Sequence, residues 1–106
     1  MDDGLPAYPD GFLAGLRLAL RLSGDAFDAE VSDLADAAVA DMLRVGVSRD
    51  YVAAFGPLVR RAVALYCKAG FGYDNSEAGR FSDAYRGCVV DMLNSAANEA
   101  AGGGRA

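Results

Sequence analysis

Residues 57–74 read Pro57-Leu58-Val59-Arg60-Arg61-Ala62-Val63-Ala64-Leu65-Tyr66-Cys67-Lys68-Ala69-Gly70-Phe71-Gly72-Tyr73-Asp74, and this stretch decides the fold class. Proline suits the first position of a helix, where its missing N–H is not needed. From Leu58 to Ala69 nearly every residue except Arg60, Arg61 and Lys68 is apolar. A helix apolar nearly all round is packed by neighbours on several sides, so this one is expected at the centre of a helical domain. Gly70 and Gly72 bracket Phe71 and stop the helix with an aromatic plug, glycine being a favoured C-terminal stop.

Working outward, Asn75 or Ser76 is expected to cap a following helix whose stripe is Phe81, Tyr85, Cys88 and Met92, widened by Ala84 and Val89. On the other side, Val45 to Phe55 has no convincing period and reads as a connecting loop. Within it Gly46 can end the preceding helix, and Tyr51 to Phe55 could add one more turn. Before it, Phe27, Val31, Leu34, Ala38 and Met42 recur at steps of three and four, an amphipathic stripe. Asp25 suits its N-cap, with Asp28 three residues on as an acidic variant of the capping box. The first helix opens at Pro9 and Asp10, carries Phe12, Leu13, Leu16 and Leu20, and stops at Ser23-Gly24-Asp25. Residues 1–8 read as an arm, and residues 97–106, with Gly102-Gly103-Gly104, as a flexible tail. No strand pattern and no sustained heptad occurs. The expected fold is all-α: a small four-helix bundle over residues 9–96 with an N-terminal arm and a C-terminal tail.

A chain of 106 residues is one ordinary domain, and 53% hydrophobic residues are too many for disorder. Alanine dominates that fraction and buries little area per residue, so stability is expected to come in part from neighbouring copies. The net charge of −5 disfavours a sequence-specific DNA binder, because phosphate binding relies on Lys and Arg. It suits a wall past which DNA slides, since like charges repel. The absence of histidine removes the commonest general base and metal ligand. Cys67 and Cys88 read as buried thiols acting as small core residues. The carboxylates Asp25, Asp28, Glu30, Asp33 and Asp36 lack calcium-loop spacing and read as a solvated face. Gly70-Phe71-Gly72 is not a phosphate loop. Phe71, Tyr73, Phe81 and Tyr85 read as ties between the last two helices. No catalytic residue, metal site or cofactor is expected. Asp2 and Asp3 replace the basic start of a secretory signal, and no apolar run could span a bilayer, so a soluble, intracellular chain without membrane contact is expected.

Arg60 and Arg61 are the most informative charges. Two arginines on an otherwise apolar helix must find carboxylates or reach water. An internal salt bridge to the second or last helix and a pair across subunits are both open readings.

The order of elements resembles the tailed-phage head–tail connector proteins, also called adaptor or head-completion proteins, of the gp6-like family. The resemblance rests on Leu18-Ala19-Leu20-Arg21-Leu22 before the acidic turn at Ser23-Gly24-Asp25 and on Val31-Ser32-Asp33-Leu34-Ala35-Asp36-Ala37-Ala38. It rests most on Leu58 to Gly72, and last on Arg80-Phe81-Ser82-Asp83-Ala84-Tyr85. It implies a homo-oligomeric ring of about twelve copies closed by head-to-tail contacts. The ring would sit below the portal protein in the virion neck, extend the DNA channel and receive the stopper or tail-completion protein. The chain would be made in the host cytoplasm and would catalyse nothing. In that picture Arg60 or Arg61 pairs across subunits with Asp33 or Asp36, and Val45 to Phe55 faces a neighbouring ring or the lumen. The segment from Asn94 onward, with Asn98, Glu99 and Arg105, orders on the portal. The competing expectation is a small cytoplasmic helical interaction module or a DNA-binding regulator. The latter needs a recognition helix with exposed polar side chains, for which the third helix is too apolar and the fourth too mixed.

Overall fold

The computed structural model describes residues 5–71 and 76–95. Among them all regular structure is helical: α1 (Phe12–Ala19), α2 (Asp28–Arg44), α3 (Arg49–Ala53), α4 (Pro57–Gly70) and α5 (Ala78–Leu93). The all-α expectation holds, with the four expected helices joined by one short extra helix in the connecting segment.

α4 is central, as its composition requires. It packs against both α5 and α2. Lys68 lies over the Phe81 ring and Tyr66 stacks edge-on against Tyr85, so α5 runs antiparallel to α4. The end of α4 meets the start of α2, where Phe71 stacks edge-on against Phe27 with ring centroids 5.5 Å apart. α2 and α5 therefore lie side by side across α4, running the same way. The core joins Val31, Ala35, Val39 and Met42 of α2 to Val59, Val63 and Cys67 of α4 and to Met92 of α5, all essentially sealed from water except at its edges.

Four helix ends differ from the sequence reading. α1 begins at Phe12, behind Gly11 at φ 80°, and not at Pro9 and Asp10. α1 stops at Ala19, four residues before Ser23, because Arg21 turns the chain with φ 63°. The Leu22 N–H then reaches the Arg17 carbonyl at 2.8 Å and the Arg21 N–H reaches Leu18 at 3.1 Å, the paired bonds of a Schellman stop. α2 begins at Asp28 instead of beside Asp25. Asp25 accepts the Asp28 N–H through its backbone carbonyl, and Asp28 spends its side chain on Arg17 at 2.6 Å. Phe27 is thereby left half-exposed at the N-cap and is no part of the core stripe. α5 begins after Glu77, so Ser76 is not its cap; Asn75 lies outside the described residues.

Other ends follow the sequence. Gly46, at φ 114°, stops α2 with the same bond pair, Val47 N–H to Met42 and Gly46 N–H to Leu43. Pro57 is the first residue of α4. Gly70 does not use left-handed backbone; it is the last helical residue, and a Cβ there would sit 2.8 Å from Leu34 Cδ2.

Segment 45–55 is held down rather than looped out. Ser48 caps α3 by accepting the Tyr51 N–H at 3.0 Å, and Val47, Val52 and Phe55 are buried. Tyr8, expected in a free arm, stacks on Phe12 with centroids 5.0 Å apart, meets Phe55 edge-on and donates its hydroxyl to Asp36.

Candidate interaction surface

Because α2 and α5 run alongside each other on α4, a gap remains between them. Its floor is small: Ala69 and Gly70 give α4 little side chain to fill it, and only Tyr66 stands up from the floor. The result is a surface cleft of about 680 Å³. Its α2 wall carries Leu34 and Asp41, its α5 wall Tyr85 and Val89, and its open end Val45, Val90 and Leu93. Val90 is 53% exposed and Val45 38% exposed, so the cleft lining keeps two apolar side chains partly in water.

One part-buried hydrogen bond joins the two walls of this cleft. The Tyr85 hydroxyl donates to Asp41 Oδ2 at 2.7 Å and lies 3.4 Å from the Ala38 carbonyl oxygen. Burial alone would raise the Asp41 carboxyl, but the Tyr85 hydroxyl and the Arg44 guanidinium outweigh it and hold the group below the usual carboxylate range. Burial, and then the bond to Asp41, push the Tyr85 hydroxyl well above the ordinary tyrosine range. Two cations line the rim: Arg44, paired with Asp41 at 2.6 Å, and Arg86, paired with Asp83 at 3.4 Å. Both guanidinium groups remain mostly in water, so they are available to a second acidic partner. The surface can bind an apolar side chain flanked by carboxylates. Among the described residues no three His, Cys, Asp or Glu side chains converge as a metal site would need, and no helix is long and apolar enough to cross a membrane.

The sequence profile of the phage connector protein family matches residues 13–99, a span that takes in α2 to α5, all of α1 but its first residue, and both walls of the cleft. The chain belongs to the phage connector protein family. No curated protein and no solved structure matches it. The connector thus has a structural role in the phage particle.

The residues singled out from the connector's sequence are scattered by the fold. Arg60 donates its Nε to the Phe55 carbonyl at 2.6 Å, which tethers the turn where Phe55 adopts φ 46°. Arg61 is exposed and reaches the Cys88 thiol, which burial raises and Arg61 partly lowers. Among the described residues neither arginine pairs with a carboxylate, so the internal salt bridge to α2 or α5 is not formed. Asp36 serves Tyr8, whereas Asp33 stands exposed on α2. Asn94 is exposed at the end of α5, next to Leu93 of the cleft. Asn98, Glu99 and Arg105 lie outside the described residues. Cys67 and Cys88 are both buried and free.

Sequence reasoning passed over the cleft. Its rim residues belong to no stripe: Val45 follows the end of α2, and Val90 sits beside, not on, the buried line of α5. The usable signal was apolar character at an off-stripe position of an amphipathic helix.

Proposed function

We propose that this connector, as a gp6-like head–tail adaptor, forms a ring of about twelve copies below the portal. The ring extends the DNA channel in the virion neck and receives the stopper or tail-completion protein on its far face. The observation that carries this reading is the family match over residues 13–99, which takes in nearly the whole helical domain. Three structural features support it. Exposed Asp25, just before α2, and exposed Glu30 and Asp33 on it make the start of this helix acidic, suited to DNA that must pass without sticking. Arg61 and Asp33 are exposed and unpaired by carboxylate or cation among the described residues, which leaves them for a contact across subunits. Arg49 and Asp50 are the exposed charged residues of the 45–55 segment and are its contribution to a neighbouring ring or the lumen. The segment from Asn94 onward, including Asn98, Glu99 and Arg105, is the portal-contacting end.

The test is the mass of the purified connector, alone and then mixed with the portal ring. A closed oligomer, formed alone or only on the portal, is expected. A monomer or dimer indifferent to the portal would overturn the proposal. Within it, charge reversal at Arg61 should weaken assembly, and truncation after residue 100 should weaken portal binding.

A further inference from the structure

Among the described residues none occupies the cleft between α2 and α5, and its chemistry states what fits: an apolar side chain with acids beside it. Phe27 is such a group. It is 50% exposed, held in place edge-on against Phe71, and flanked by exposed Asp25 and Glu30. We infer that the cleft of one copy receives Phe27 and the acidic start of α2 from a second copy of this chain. The inference rests on the ring reading above and names the surface that would close it.

Charge complementarity selects this occupant over the most exposed large apolar side chain, Leu18. Leu18 is 77% exposed, but exposed Arg21 follows it just past the end of α1, and its charge opposes Arg44 and Arg86 on the cleft rim. Asp25 and Glu30 beside Phe27 attract the same rim. An aromatic anchor entering a partly desolvated pocket, with charges at its edge, is also the usual make-up of an interface hot spot.

Placement matters as much as charge. Phe27 precedes the first residue of α2 and Val45 follows the last, so knob and open end are separated by about 27 Å at 1.5 Å per residue. A patch that docks on a distant, different patch makes a heterologous contact. Such contacts repeat from copy to copy and close into rings when the rotation allows.

The experiment is a disulfide trap in the full chain. Ala26→Cys and Val90→Cys are combined and the protein is oxidised at about millimolar concentration, with and without the portal ring, where even weak association is populated. Cys67 and Cys88 are buried with raised thiols and stay out of the reaction. A ladder of multimers linked 26 to 90 is expected, with each single variant stopping at a dimer. Oligomers by sedimentation without the 26–90 bond would overturn the cleft assignment while leaving the ring. A thiol introduced by Val90→Cys that links only to the portal would do the same and make the portal the occupant. A monomer under both conditions would overturn ring and cleft together. A charge swap adds a readout that misfolding cannot mimic: Arg86→Glu weakens association, and adding Glu30→Arg restores it. Phe27→Ala, at a half-exposed site, weakens association by about thirtyfold or more with an unchanged circular dichroism spectrum.

Discussion

Replacing Tyr85 by phenylalanine removes one oxygen and leaves the packing against Tyr66 in place. That oxygen is the polar link between α2 and α5, 2.7 Å from Asp41. A hydrogen bond to a charged group contributes about 1.5–3 kcal/mol. Asp41 is 29% exposed and keeps Arg44 at 2.6 Å, so the loss falls at the lower end, about 1–2 kcal/mol. For a domain of this size that lowers the melting temperature by about 4–8 °C per kcal/mol. Urea unfolding followed by circular dichroism should show an earlier midpoint with an unchanged slope, since the same surface is exposed. The deficit must also depend on pH. The folded-state carboxyl of Asp41 lies below its unfolded value of about 3.9, so the unfolded chain binds more protons between the two. That stabilisation is present above about pH 4 and is lost as pH falls through the folded value. The Tyr85 hydroxyl is raised instead, so its share is present below about pH 10 and is lost as pH climbs toward the folded value. Wild type and Tyr85→Phe should therefore differ most near neutrality and converge toward both extremes. A deficit under about 0.5 kcal/mol at neutral pH, within the scatter of neutral surface substitutions, would refute the bridge. So would a larger deficit that does not shrink as pH falls through the folded value of Asp41.

Three further outcomes follow from other parts of the structure. Arg21→Gly should stabilise the chain by about 0.5–1 kcal/mol in thermal unfolding, because left-handed backbone costs an L-residue about 1–2 kcal/mol and glycine's extra freedom in the unfolded chain returns only part of that. Met42→Ala, at a fully buried core position, should cost about 2–5 kcal/mol in urea unfolding, a large share of the total for a small domain. Burial pushes the Cys67 thiol up to about 12, so at pH 8 a thiol reagent should leave it unmodified in the folded chain and react promptly once denaturant is added.

α4 was legible because its signals are local: a proline at the first position, an apolar run and a glycine at the end. The stop of α2 at Gly46 was legible for the same reason. α1 was read too long because its stop depends on Arg21 in a conformation that arginine rarely takes, and nothing in residue type announces it. Asp25 was read as a cap because aspartate usually is one. The pull of Arg17 on Asp28, eleven residues away, and a backbone turn at 25–28 decided otherwise. Arg60 and Arg61 drew attention as charges in an apolar run, yet the fold ties Arg60 to a turn and turns Arg61 toward Cys88 on α5. Periodicity carries one trace of the cleft, Val90 off the stripe of α5, and none of its floor, which is made by what α4 lacks at Ala69 and Gly70.

That lack bears on how folding and assembly are coupled. Larger side chains at Ala69 and Gly70 would fill the trough and complete the core, at the expense of the socket; Leu34 already leans to within contact of Gly70. The unfilled volume lies at the surface, so the chain does not carry the cost of a closed cavity. It leaves Val45 and Val90 partly wet instead. Covering such surface contributes about 25 cal/mol per Å², and a copy that covers it only in the folded state stabilises that state by mass action. Substitutions at the cleft rim should therefore act weakly on the isolated chain and strongly on assembly. Substitutions in the sealed core around Met42 and Met92 should do the reverse until the fold itself fails. Measuring both quantities on the same variants, Val90→Glu against Met92→Ala, separates an interface from a merely imperfect surface. If Val90→Glu leaves assembly intact, the cleft is only an imperfection in packing and the socket reading is wrong.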